Sequence, residues 1–377
     1  MNHFPKLVWF FSCLVLSGFL NNHAFGWGNT AHKIINRNAV RHLPSAMQQL
    51  ASQQTYLADH ASDADNRKST DASEGPRHYL DLEAYPPSVQ LPRDLNVLLQ
   101  QYGWDVVSAN GTLPWATVQA LDSLIARAGR GDWPNAFQSA ADIGHYVGDA
   151  YQPLHCTVNY DGRMTGNDGI HSRYESGLVN QYQSLLTVMA DTLDPVTDPY
   201  LYMLDRIVRS NALVDSIMKG DNAAKLASGW TGSGTPPPAY YTALWEKTGT
   251  MTSQLIQDAT VAVASLWQYA WTQAGLMTPL TVAHTPTLPD AAALFPNYPN
   301  PFNSSTTISF RVPESEHARV TVHTLLGQEV AVLFDGAAAG GTVYRVRFEA
   351  PRLATGMYVC RLQSNGRSEV QRLSLMK

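Results

Sequence analysis

The hydrophobic period of this chain changes once, near residue 275, and no other feature constrains the fold as strongly. Before that point apolar side chains recur every three or four residues. Asn29 to Leu43 shows this with Ala31, Ile34, Ile35, Ala39 and Leu43, and Asn29 or Thr30 stands where an N-cap is needed. Helical spacing also predicts a hairpin over Met47 to Ala61 and helices over Asp94 to Tyr102, Trp115 to Ala128, Trp133 to Ala150, Ser176 to Asp191, Pro199 to Lys219 and Ala239 to Ala274. Gly249 is expected to interrupt the last of these. Stretch 83–114 is rich in Pro and Gly and reads as loops around the one short helix at Asp94 to Tyr102, and 228–238 reads as a loop. From Thr306 the pattern alternates instead: Ile308, Phe310 and Val312, then Val320 and Val322, Val330 and Val332, Tyr344, Val346 and Phe348, Tyr358, Cys360 and Leu362, and finally Val370, Leu373 and Leu375. A period of two belongs to strands and a period of 3.6 to helices, so one architecture cannot satisfy both halves. The reading is an all-α domain over 27–275, a Thr- and Pro-rich linker over 276–293, and a small all-β sandwich over 294–377. A length of 377 residues accommodates two such units.

Residues 1–26 have the form of a signal peptide: Lys6, an apolar run from Leu7 to Leu20, and small residues at Ala24 and Gly26 before the cleavage point. The mature chain would then begin at Trp27. Cys156 and Cys360 remain, one in each unit, which gives no disulfide framework even in an oxidising compartment. A net charge of -5 provides no global basic field, which argues against a protein that holds long nucleic acid as a stable scaffold by its phosphates.

Within the helical half one stretch concentrates chemistry. His145 and Asp149 lie four residues apart in the Trp133 to Ala150 pattern, so both point to one helix face. Pro153 stops that helix and turns His155 back toward the pair. His171 and Glu175 repeat the four-residue interval sixteen residues beyond His155. A single such pair is ordinary helix chemistry. Two pairs with a third histidine between them are a donor set of nitrogen and oxygen without thiolate, the set used by catalytic rather than structural zinc. Asp65, His78 and His32 supply further donors, and Trp27 would add its α-amine and carbonyl once the leader is removed.

Trp27 near His32, Asp65 before His78, His145 through Asp149 and Pro153 to His155, and His171 with Glu175 together resemble the zinc-dependent phospholipase C and single-strand-specific zinc nuclease superfamily. The resemblance spans residues 27 to about 275 and implies an all-α catalytic domain with three Zn2+ ions. It implies a first zinc on Asp65, His78, His145 and Asp149, and a second on Trp27, His32 and another oxygen of Asp149. The third would lie on His155, His171 and Glu175. Zinc lowers the pKa of bound water toward neutrality, so such a site suits attack of hydroxide on a phosphodiester. Asp65 is assigned the additional role of orienting or deprotonating the attacking water, with Asp63 the rival and helix capping its plainer role. Gly169 through Glu175 is similar to the phospholipase branch, whose last ligand is Glu with a basic residue two after the histidine. The step from Trp27 to His32 and the segments around Asp65 and His78 are similar to the nuclease branch. Phospholipase C action, releasing diacylglycerol and a phosphorylated head group, is the first expectation; a nuclease or nucleotidase on the same site is the alternative.

In the β half, Asn297 through Ile308, Leu326 through Val330, Leu353 through Tyr358 and the terminal Leu375 to Lys377 resemble the C-terminal sorting domain of type IX secretion cargo. That resemblance implies an Ig-like sandwich recognised by the type IX export machinery, passage through the periplasm, and a final place outside the cell or on its surface. A monomer is expected. An alternative carbohydrate-binding role would need an exposed aromatic row, for which Tyr344 and Tyr358 are the candidates.

Overall fold

The computed structural model describes residues 27–377 apart from 86–90, 190, 278–291, 296, 298, 299, 301, 325, 326, 352 and 377. The signal-peptide reading, most of the linker and the turn at Leu326 lie outside the described residues. The period change is real: helices fill the chain to Gln273 and strands follow from Ala293.

The helical domain is built around one 36-residue helix, Pro238–Gln273, about 54 Å long at 1.5 Å per residue. Helices Asn29–Ala39, Leu113–Gly129, Trp133–Ala150 and Val214–Ser228 pack along it. Trp267, fully buried, anchors this packing by donating its indole N–H to the Ala140 carbonyl at 3.0 Å. Pro114, Pro134, Pro199 and Pro238 each sit in the first turn of their helix, where the missing N–H costs nothing. Among the described residues no helix is long and apolar enough to cross a membrane.

Five readings need correction. The stretch after Tyr102, expected as loop, holds a second helix, Trp104–Asn110. Gly249 does not interrupt its helix: a Cβ there would stand 2.6 Å from the Trp245 ring, so the glycine makes room for an indole that stacks on Tyr182 at 4.6 Å. The Pro199 helix ends at Asn211 and a second begins at Val214. The expected Ser176 to Asp191 helix gives way after a π-turn at Arg173–Leu178 and one further turn, ending near Leu185. The first helix starts after Gly28 without a side-chain cap, so neither Asn29 nor Thr30 plays that part.

The β unit has two antiparallel sheets, β1(Ala293–Leu294)-β2(Ser305–Arg311)-β5(Val343–Glu349) and β4(Glu329–Ala338)-β3(Glu316–Thr324)-β6(Gly356–Ser364)-β7(Arg367–Leu375). Phe302, Ile308, Phe310, Phe348, Val320, Cys360 and Leu373 fill the space between them. Val370 and Val332, expected inside, are exposed. Val370 is three residues from Leu373 and so must face the other side of the strand. A bulge between Val320 and Thr321 pairs Phe334 with Val320 and turns Val332 outward. Tyr344 stacks on Phe310 at 5.1 Å, and Tyr358 is buried with its hydroxyl on the Ala354 carbonyl; neither forms an exposed row.

Candidate metal centre

The Trp133–Ala150 helix presents a face of small residues, and this allows the first helix to approach closely. A Cβ on Gly144 would fall 1.7 Å from Asn36 Oδ1, and one on Gly148 would fall 2.8 Å from His32 Nδ1. Asn36 uses the space to donate to the carbonyls of Leu57 and Ala141. His32 uses it to stack on His145, ring centroids 3.9 Å apart.

Three buried groups of donors result: His32, Asp65 and His145; His78, His145 and Asp149; and His155, His171 and Glu175. In each, the donor atoms lie within 4.8 Å of one another. In the first region His78 Nδ1 lies 2.9 Å from both Asp149 Oδ2 and His145 Nε2, and Asp65 Oδ1 is 3.6 Å from each of these two nitrogens. Asp149 turns its other oxygen, Oδ1, to His32 Nε2 at 3.5 Å, so one carboxylate faces both regions. In the third group Glu175 Oε2 is 2.9 Å from His171 Nε2, which is 3.0 Å from His155 Nε2. Glu175 and its neighbours form a π-turn, a local irregularity frequent at functional sites. Trp27 is fully buried and packs on Tyr174 of that turn at 5.7 Å.

Hydrogen bonds on the far side of two rings fix which nitrogen looks inward. His145 Nδ1 lies 2.7 Å from the Ala61 carbonyl and His155 Nδ1 lies 2.7 Å from the His78 carbonyl, so each must donate there and aim Nε2 into the cluster. His32 Nδ1 and Nε2, Asp149 Oδ1 and His171 Nδ1 are buried without any hydrogen-bond partner. Each such atom costs about 1–3 kcal/mol if left so. Convergent ring nitrogens facing carboxylates, with orphaned atoms beside them, fit divalent cations.

The titration behaviour of these side chains agrees. Burial alone would lower His145, but Asp149 and Asp65 overcome it and hold the ring at about 9. Burial would raise Asp149, yet His145 and His155 keep it well below the ordinary carboxylate range. Burial pushes Glu175 up to about 8 and His32 and His171 down to about 4.

All nine residues singled out by sequence are therefore buried in this region, and eight of them supply the three groups. Sequence reasoning missed three neighbours. Lys68 reaches Asp65 Oδ1 at 2.6 Å, Gln152 approaches Glu175 Oε2 at 3.5 Å, and Glu74 stands beside His78. Lys68 and Glu74 follow and precede their partners by three and four residues, the same helical spacing that revealed the ligands. Asp63 is not a cap; it pairs with His60 at 2.7 Å in a half-exposed contact. Asn167, in the loop before His171, is buried and donates to Asp221 and Asn222. Of the aromatics near the clusters, Tyr146 and Tyr151 are buried, whereas Tyr160 and Trp104 are exposed.

Fold and site define a two-unit chain: a helical domain enclosing buried histidine and carboxylate clusters, and a C-terminal sandwich. Residues 297–376 match the family model described as Secretion system C-terminal sorting domain. The chain is similar to Nuclease S1 of Aspergillus oryzae, 27% identical over 159 residues that cover 37% of this chain and 51% of that protein. It is also similar to a probable serine protease of Bradyrhizobium tropiciagri, 25% identical over 187 residues, covering 43% of this chain and 23% of that one. The chain thus spans about half or less of the length of these curated relatives. Among solved structures, Alpha Toxin from Clostridium absonum aligns over 94% of this chain and 97% of its own, with 10% identity and a TM-score of 0.42. The likeness to Nuclease S1 and the sorting-domain match agree with the two resemblances carried by the sequence motifs.

Proposed function

We propose that this chain is an exported, zinc-dependent phosphodiester hydrolase with phospholipid as its substrate. The observation that carries the hydrolase reading is the convergence of His78 Nδ1, His145 Nε2, Asp65 and Asp149, with the far nitrogen of His145 committed to the Ala61 carbonyl. Zinc bound there would act as a Lewis acid, neutralising phosphate charge and acidifying water. His78, His145, Asp65 and Asp149 would hold one ion; His32, Asp149 and the Trp27 backbone a second; His155, His171 and Glu175 a third. Asp65 is the residue assigned to orient the nucleophilic water and receive its proton. Burial would raise its pKa, but His145 and Lys68 lower it, so the carboxylate is ionised and free to accept a hydrogen bond.

Exposed apolar side chains support the lipid substrate. Val97, Trp104 and Val106 are exposed on helices Leu95–Tyr102 and Trp104–Asn110, and the second of these packs on the turn that carries His78. Tyr79 ties the two together by donating to the Ser108 carbonyl. A second reading, hydrolysis of single-stranded nucleic acid, is favoured by the likeness to Nuclease S1. The sandwich supports export by the type IX machinery, with the mature enzyme outside the cell or on its surface.

Protein starting at Trp27, offered phospholipid vesicles beside single-stranded DNA and RNA, separates the substrates. Release of diacylglycerol with a phosphorylated head group is the expected result. Nucleotide release without lipid cleavage would replace the lipid reading with the nuclease one.

A further inference from the structure

Glu74 belongs to none of the three clusters, yet it is only 4% exposed and is aimed at a cluster residue. It precedes the 3-10 turn Gly75–His78 and sits four residues before His78. Its Oε1 is 3.4 Å from His78 Nε2, a buried nitrogen with no formed hydrogen bond. Both oxygens of this carboxylate are held by other neighbours. Tyr146 donates its hydroxyl to Oε1, Arg67 Nε donates to Oε2 at 3.1 Å, and Arg77 Nε lies 3.7 Å from Oε1. The two guanidiniums also donate to the Tyr146 hydroxyl, and Arg67 pairs with Asp142 at 3.0 Å. Tyr146 follows His145 in the same helix, and Asp142 precedes it by one turn. The network therefore ties Glu74 rigidly to the helix that carries His145 and Asp149.

We infer that Glu74 is a positioning residue that selects the tautomer of His78. An imidazole offers a lone pair on one nitrogen only when the other holds the proton. His78 Nδ1 faces His145 Nε2 and Asp149 Oδ2, both at 2.9 Å, so Nδ1 is the atom that must be bare to bind a cation. A carboxylate against Nε2 keeps the proton there and raises the basicity of Nδ1, as an outer-shell partner of a metal-bound histidine does. Arg67 and Tyr146 hold Glu74 in place for this task, one on each carboxylate oxygen. This inference rests on the reading that the His78 cluster binds zinc.

Two measurements on Glu74→Gln and Glu74→Ala test it. In protein labelled with 15N-histidine, wild-type zinc-loaded enzyme should show His78 protonated at Nε2 and bare at Nδ1. In Glu74→Gln the proton at Nε2 should exchange faster and its signal weaken. Competition with a chromophoric chelator should show one zinc equivalent held about 10- to 100-fold more weakly in the variant, with the remainder unchanged. Should Glu74→Ala fail to fold, Glu74→Gln decides, because it keeps the size and the acceptor oxygen while removing the charge. Wild-type zinc affinity and an unaltered His78 spectrum in Glu74→Gln would overturn the inference and leave Glu74 as a structural partner of two arginines. Wild-type protein that binds no zinc would overturn the hydrolase reading as well, a result distinct from the first.

Discussion

At the scale of single residues, the site depends on atoms that are absent as much as on those present. Gly148 leaves the room in which the His32 ring lies. Gly148→Ala should push that ring from its stack on His145 and cost the protein the zinc proposed for His32, with the other two proposed ions retained; metal analysis of the purified variant checks this. Unchanged zinc content would show that His32 is not held by this contact. Protons provide a second test. His145 is held at about 9 and Glu175 at about 8 without metal, so both carry a proton at pH 7 that zinc must displace. Zinc binding should release about two protons at that pH, measured by calorimetry in buffers of different ionisation enthalpy. Affinity should rise with pH up to the window of 8 to 9 and flatten above it. His32 and His171, lowered to about 4, add nothing to that slope near neutrality.

At the scale of elements, what the sequence revealed follows from range. The Trp133–Ala150 helix is legible because its signals, Pro134 at the start and the periodic small residues, are local. The cluster residues are legible because four-residue intervals survive folding as one helix face. The unbroken helix through Gly249 is not legible, since its explanation is the Trp245 ring stacked on Tyr182 sixty-three residues away. Val332 was misplaced because a bulge shifts the strand register, and no period reports a bulge in advance. Glu74 and Lys68 had the right spacing but sit in a polar stretch that also reads as solvated surface. Trp267→Ala removes both a fully buried indole and its bond to Ala140, and should lower stability by about 3–5 kcal/mol in urea unfolding. Gly249→Ala, which adds only one methyl against Trp245, should cost about 1–3 kcal/mol.

At the scale of the whole molecule, the sandwich is more than an appended tail. Phe295 and Val343 join the hydrophobic core of the helical domain. Arg345 of β5 is buried, and its guanidinium donates to the Leu82 carbonyl, four residues beyond His78. Arg311 faces Asp205 at 3.7 Å, and Lys219 donates to the Asn300 carbonyl at 3.0 Å. A chain ending at residue 277 would expose Leu82, Leu91 and Leu204, which now pack beside Val343 and Arg345. Such a chain should bind a hydrophobic dye and melt at a lower temperature than the full protein, with zinc binding unchanged, because every residue proposed as a ligand lies in the helical domain. Loss of zinc on truncation would show instead that the Leu82 contact sets the position of His78.

The claim on which the rest depends is that the histidine and carboxylate clusters cleave phosphodiesters through bound zinc. Hydrolysis of bis(4-nitrophenyl) phosphate by full-length protein beginning at Trp27, before and after chelation, tests it without regard to the natural substrate. Turnover should disappear on chelation and return with added zinc. Turnover that survives complete removal of metal, or none in protein carrying its full zinc complement, would contradict it.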